Sequence, residues 1–115
     1  MKSLRHKTFW LSATTFVAAL TLLSSLAARA AEGKGLFIRH CGSCHGADGK
    51  AKTPMGAKLK AKDLAESKLS DADLEKLIQD GRRDEKGSLR MPAFKEKLTG
   101  EEIRSLMKLA KTFRK

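Results

Sequence analysis

The chain has 115 residues and a formal charge of +11, from 24 Lys and Arg against 13 Asp and Glu, which excludes a large multidomain enzyme and marks a strongly basic protein. Its two cysteines cannot supply the several disulfides that small exported domains use in place of a large core, so a disulfide scaffold is excluded as well. Residues 1–30 hold four basic residues (Lys2, Arg5, Lys7, Arg29) and no acid, so residues 31–115 keep 20 basic and 13 acidic side chains, a net +7. Phe9, Trp10 and Phe16 also lie in the front segment. Only Phe37, Phe94 and Phe113 remain for the rest, a thin core that calls for a large apolar group from outside the chain.

Met1 to Lys7 is basic, Thr8 to Ala28 carries no charge, and Ala28-Arg29-Ala30 presents the small residues of a signal-peptidase site. Residues 1–30 therefore read as a secretory signal peptide cleaved after Ala30, which delivers residues 31–115 to the periplasm. The competing reading is an uncleaved anchor, because the uncharged stretch approaches the roughly 20 residues of a membrane span.

In the remainder, Leu36, Phe37 and Ile38 predict a brief helix leading into two closely spaced cysteines. Cys44 to Leu59, rich in Gly and Lys, reads as loop. Ser70 then caps a helix carrying Leu74, Leu77 and Ile78 at helical spacing, and Gly81 ends it. Residues 82–92 hold a run of charges with Gly and Pro and read as a second loop. Thr99-Gly-Glu-Glu opens a last helix whose stripe is Ile103, Leu106, Met107, Ala110 and Phe113. No segment alternates like a strand, so the fold class is all-α. Two long irregular stretches in so small a domain imply a ligand that organises them.

Cys41-Gly42-Ser43-Cys44-His45 has the spacing of c-type haem attachment. Two thiols three positions apart reach the two vinyl groups of one porphyrin, and the next residue sets its imidazole under the iron. A thioredoxin-like redox pair would need a βαβ setting, which is absent. Zinc would need about four ligands, and His40 and His45 are the only histidines beside the cysteine pair in residues 31–115. A plain disulfide would leave the adjacent His and the thin core unexplained. One covalently bound haem c, with His45 on its iron, is the expected cofactor. Met55, Met91, Met107 and His40 are the candidates for the second axial position.

Gly33 and Phe37 stand eight and four residues before Cys41; His45-Gly46, Asp48-Gly49-Lys50, Leu69-Ser70-Asp71, Met91-Pro92-Ala93-Phe94 and Leu98-Thr99 follow in order. This ordered set resembles the small monohaem class I cytochromes c of bacteria across nearly all of residues 31–115. The resemblance implies the cytochrome c fold, three to four short helices wrapped around one covalently attached haem. It places the thioether ligand at Met91, 46 residues beyond His45. It implies that Cys41 and Cys44 bind the haem covalently and that His45 and Met91 are the axial ligands; Met55, in a loop-like stretch, is the runner-up. Leu109 stands where the family packs an aromatic of the last helix on the first, unless Phe113 supplies that contact. With neither Trp nor Tyr in residues 31–115, Arg82, Arg83, Arg90 or a lysine is left to neutralise the haem propionates. Pro54 is the candidate for the proline carbonyl that orients the ligand imidazole.

Two filled axial positions leave no place for substrate, so the expected role is that of a periplasmic single-electron carrier and not an enzyme. The alternative is a haem-binding subunit or domain of a redox enzyme complex, peroxidase-like or partnering a dehydrogenase. Lys50, Lys52, Lys58, Lys60 and Lys62, with Lys86, Arg90, Lys95 and Lys97, suggest a positive rim for redox partners with acidic docking surfaces. No nucleic-acid binding, no stable membrane insertion after cleavage, and a monomer are expected.

Overall fold

The computed structural model describes residues 25–115, so most of the signal-peptide reading, residues 1–24, lies outside the described residues. The first helix, α1, occupies 25–40 and is longer than the brief helix expected, with the expected cleavage site on its exposed N-terminal part. Its buried positions are Gly33, Leu36 and Phe37, three and four apart as one helical face requires. Cys41 closes α1 by donating its N–H to the Phe37 carbonyl and begins a single helical turn, α2 (Gly42–His45).

The loop expected over 44–59 contains a helix, α3 (Pro54–Leu59). Thr53 caps it through its side chain and Pro54 takes the first turn, where a missing N–H costs nothing. A 3-10 turn at Leu64–Glu66 is capped by Asp63. The fourth helix, α4 (Asp71–Asp80), has the Ser70 cap and the Gly81 stop that its sequence predicts. The last, α5 (Gly100–Thr112), has both bonds of the Thr99–Glu102 capping box.

Between α4 and α5 the expected loop is instead a small antiparallel hairpin, β1 (Arg82–Arg83) paired with β2 (Leu89–Met91) in the register Arg82 to Met91 and Arg83 to Leu89. Apolar alternation fails to announce it because its strands bury no apolar face. Asp84 holds it instead, accepting the N–H groups of Lys86 at 3.0 Å and Ser88 at 2.9 Å, with the Arg90 guanidinium on its other oxygen. The fold is otherwise helical, as expected.

The core is small. It joins Leu36 and Phe37 of α1, Leu74 and Ile78 of α4, and Ile103, Leu106 and Met107 of α5, with Phe94 and Leu98 from the connecting segment. Helix α5 crosses α1 closely enough that a side chain at Gly33 would meet the Ser105 carbonyl at 3.3 Å. Phe113 supplies the aromatic contact at the end of that crossing, its ring centroid 5.3 Å from that of Phe37. Its other face covers Gly49, whose φ of +72° and lack of a side chain admit the ring. Leu109 also packs on the core but only in part.

Phe113→Ala should lower stability by about 2–3 kcal/mol, because it empties the space between Phe37 and Gly49. Leu109→Ala should cost less. Urea melts of the holoprotein variants compare the two directly.

Candidate functional site

Helices α1, α2, α4 and α5, the segment 59–69 and the hairpin surround a cavity of about 480 Å³. That size falls within the range of about 300–1,000 Å³ usual for cofactor and ligand sites. Its floor is apolar, with Phe37, Leu74, Ile78 and Leu106 among the lining residues. Cys41, Cys44 and His45 line it from α2, and Met91 lines it from β2. The structure thus brings all four predicted site residues to one cavity.

Each is placed by a local device. Cys41 caps α2 and packs against the core. Burial pushes its thiol up to about 11, and the neighbouring Cys44 adds to the rise. A disulfide exchanger uses the opposite, a depressed thiolate.

The His45 ring is held from behind, its Nδ1 lying 3.3 Å from the Lys62 carbonyl. A carbonyl only accepts, so Nδ1 carries the hydrogen and Nε2 of the neutral ring keeps its lone pair. Burial holds the His45 pKa below its ordinary value, with the Lys62 bond opposing in part. Neutral imidazole is the form that binds a metal. The carbonyl that orients the ring therefore belongs to Lys62, and not to Pro54, which sits exposed in the first turn of α3.

Thr53 ties α3 to the cysteine turn. Its hydroxyl lies 2.7 Å from the Ser43 carbonyl and 3.0 Å from that of Cys44, while its oxygen accepts the Gly56 N–H. The Ala51 N–H adds a bond to the His45 carbonyl at 2.8 Å. Sequence reasoning passed over Thr53 and Lys62. The Thr-Pro pair was a helix-start signal that could have found the first; a backbone carbonyl such as that of Lys62 has no residue signature.

The two other methionines separate from Met91 by position, whereas His40 does not. Met55 is 44% exposed and outside the cavity lining, and Met107 is buried in the core away from it. His40 reaches the cavity wall and lies edge-on to Phe94, with ring centroids 6.0 Å apart. Of the three arginines, Arg82 and Arg90 line the cavity. Arg83 instead donates to the Gly87 carbonyl at 2.8 Å within the hairpin. Lys60, Lys62 and Lys68 complete the basic part of the lining, with Asp63 and Glu66 among them.

The donor chemistry fits an iron porphyrin: two thiols beside an imidazole, a thioether on another wall, and apolar surface between. The family model described as "Cytochrome C oxidase, cbb3-type, subunit III" matches residues 28–108. Among solved structures, the chain is similar to one described as "KustC0563 c-type cytochrome", with 36% identity and a TM-score of 0.63, covering 72% of this chain and 98% of that one. No curated protein matches it.

Gly56 lies so close under the cysteine turn that a Cβ there would stand 2.3 Å from the Cys44 carbonyl and 2.7 Å from that of Ala51. Gly56→Ala should push α3 off the turn and lower stability by about 2 kcal/mol, near the middle of the range for overpacking. A thermal melt beside Ala57→Gly, a change on the exposed side of the same helix, separates this clash from a simple propensity effect.

Proposed function

Because the chain belongs to the cytochrome c oxidase, cbb3-type, subunit III family and is a c-type cytochrome with covalently bound haem, we propose that it is a periplasmic single-electron carrier in which Cys41 and Cys44 hold the haem and His45 and Met91 are its axial ligands. The observation that carries this reading is the convergence of His45 and Met91 on one apolar cavity, while Met55 and Met107 stand outside it. Haem iron supplies the one-electron couple, and His/Met ligation favours its reduced form.

The chain's own residues do the rest. The Lys62 carbonyl fixes the His45 tautomer and ring orientation. Met91 is presented from a strand paired to Arg82, which limits its excursions. The apolar floor keeps water from the iron, and Arg82 at the wall offers a guanidinium to a propionate. With both axial positions taken, no substrate reaches the metal, so the chain acts as a carrier and not as a catalyst. The leader-like residues 1–30, with cleavage after Ala30, support export, and no described helix is long and apolar enough to cross a membrane.

The two basic groups of the rim differ. On the hairpin side Arg90 pairs with Asp84, Lys95 with Asp80 at 3.2 Å, and Lys97 lies over the Phe94 ring, while Lys86 is exposed and enters no ion pair of the described residues. Lys50, Lys52, Lys58, Lys60 and Lys62 are all exposed and take part in none of the ion pairs of the described residues. Their segment is bonded to the Cys44 turn through Thr53, beside the attachment edge of the haem. This side is the docking face for an acidic redox partner. The family description also favours a second reading, an electron-transfer subunit of a larger oxidase; co-purification of the native protein with a membrane complex would mark that case.

Met91→Ala should abolish the weak red-edge absorption of ferric iron–thioether ligation while leaving the haem attached; loss on Met55→Ala instead would overturn the assignment. The double variants Lys52→Glu/Lys58→Glu and Lys95→Glu/Lys97→Glu change net charge equally. In stopped-flow oxidation by a small acidic redox protein at low salt, the first pair should slow association about tenfold and the second much less. Wild-type rates that ignore ionic strength would remove steering altogether.

A further inference from the structure

We infer that Asp84 is a positioning residue for Met91: its carboxylate ties the hairpin that carries the thioether, and so sets how readily that side chain leaves the haem. The inference rests on the reading of Met91 as an axial ligand.

Met91 hangs between two anchors. On its C-terminal side the chain is pinned to the end of α4, where the Phe94 N–H donates to the Ile78 carbonyl at 3.0 Å and the Lys95 N–H to that of Gln79 at 3.2 Å. On its N-terminal side the chain makes the excursion 82–90, in which Arg82, Arg83 and Leu89 are exposed and no side chain is buried. An isolated two-stranded hairpin is marginal in water, so apolar packing does not hold this one.

Asp84 takes over that task. One oxygen accepts the Lys86 and Ser88 amides, and the other accepts Nη2 of Arg90, the residue next to Met91. The Asp84 backbone joins in, its N–H donating to the Ser88 carbonyl and its carbonyl accepting from Gly87. Gly87, at φ +76°, permits the turn. The Arg90 side chain is 19% exposed and that of Asp84 25%, so their charge-assisted bond is partly shielded from water. The Ser88 amide, then Arg90 and the Lys86 amide, hold the Asp84 carboxyl below the ordinary carboxylate range, which keeps the clasp ionised at neutral pH. One side chain therefore clasps the hairpin on the N-terminal flank of Met91, beside the Arg82–Met91 strand pairing.

The test uses the ferric holoprotein and its Asp84→Ala, Asp84→Asn and Met91→Ala variants. Cyanide enters only when the thioether leaves, so its uptake reports release of Met91. Asp84→Ala should take up cyanide about tenfold faster than wild type, with covalent haem and far-UV helical signal retained. Asp84→Asn, which keeps an acceptor for the two amides but loses the charge facing Arg90, should fall between. Wild-type uptake in both Asp84 variants would overturn the proposal, as would faster uptake that appears only in step with loss of helical signal. Retention of the red-edge absorption in Met91→Ala would instead sink the ligand reading, so the two failures are distinguishable.

Discussion

Residues 31–115 contain three phenylalanines and no other aromatic side chain, and chain ordering costs roughly 1–2 kcal/mol per residue in backbone entropy alone. A core of nine buried side chains offsets little of that total. Covalent haem relieves this constraint, because one large apolar group would fill the cavity that these elements line together. The long segments between helices follow from the same cause. They are too poor in apolar residues to pack by themselves, and they gain order by lining a common ligand cavity.

Two kinds of structure hold His45 and Met91 at that cavity. On the attachment side, α2 is a single turn, too short to be stable alone. It is locked by the Phe37 carbonyl before it and by Thr53, Ala51 and the Lys62 carbonyl after it. On the Met91 side there is no helix at all. The chain passes Gly81, whose φ of +68° turns it away from α4 and where a Cβ would stand 2.4 Å from the Met91 carbonyl. Gly81 thus serves two purposes at one position: it ends the helix and it admits the strand that brings the sulfur back.

What was legible in the sequence follows from how each element is encoded. The Ser70 and Thr99 caps, the Gly81 stop and the stripe of α5 are local patterns, and they stand in the structure as read. The cysteine motif was legible because covalent chemistry fixes its spacing. Helix α3 was hidden by the lysines around it and by Gly56, a glycine required by the close approach of Cys44 and not by a loop. The hairpin was hidden because strand signals report apolar packing, whereas Asp84 encodes this one by hydrogen bonds. The exchange of Leu109 for Phe113 in the contact with α1 lies one helical turn along the same face, a shift that periodicity permits but does not decide.

The hairpin also explains why charge so near the haem is divided into two kinds. Within the exposed hairpin, two of the three arginines are used by the fold: Arg90 is engaged by Asp84 and Arg83 by the Gly87 carbonyl. Cations used in this way present little field to a partner, because each is already met by an opposing charge or dipole within the chain. The segment 50–62 needs no such neutralisation. Its order comes mainly from uncharged bonds, those of Thr53, of the Ala51 and Lys62 backbone groups and of the cysteine turn, with the Asp48 carboxylate accepting the Lys50 amide at its start. Its lysines are thereby left to face solvent on the side where the haem is attached. The hairpin's fold thus draws on Arg90 and Arg83, whereas the lysines of 50–62 enter no ion pair of the described residues.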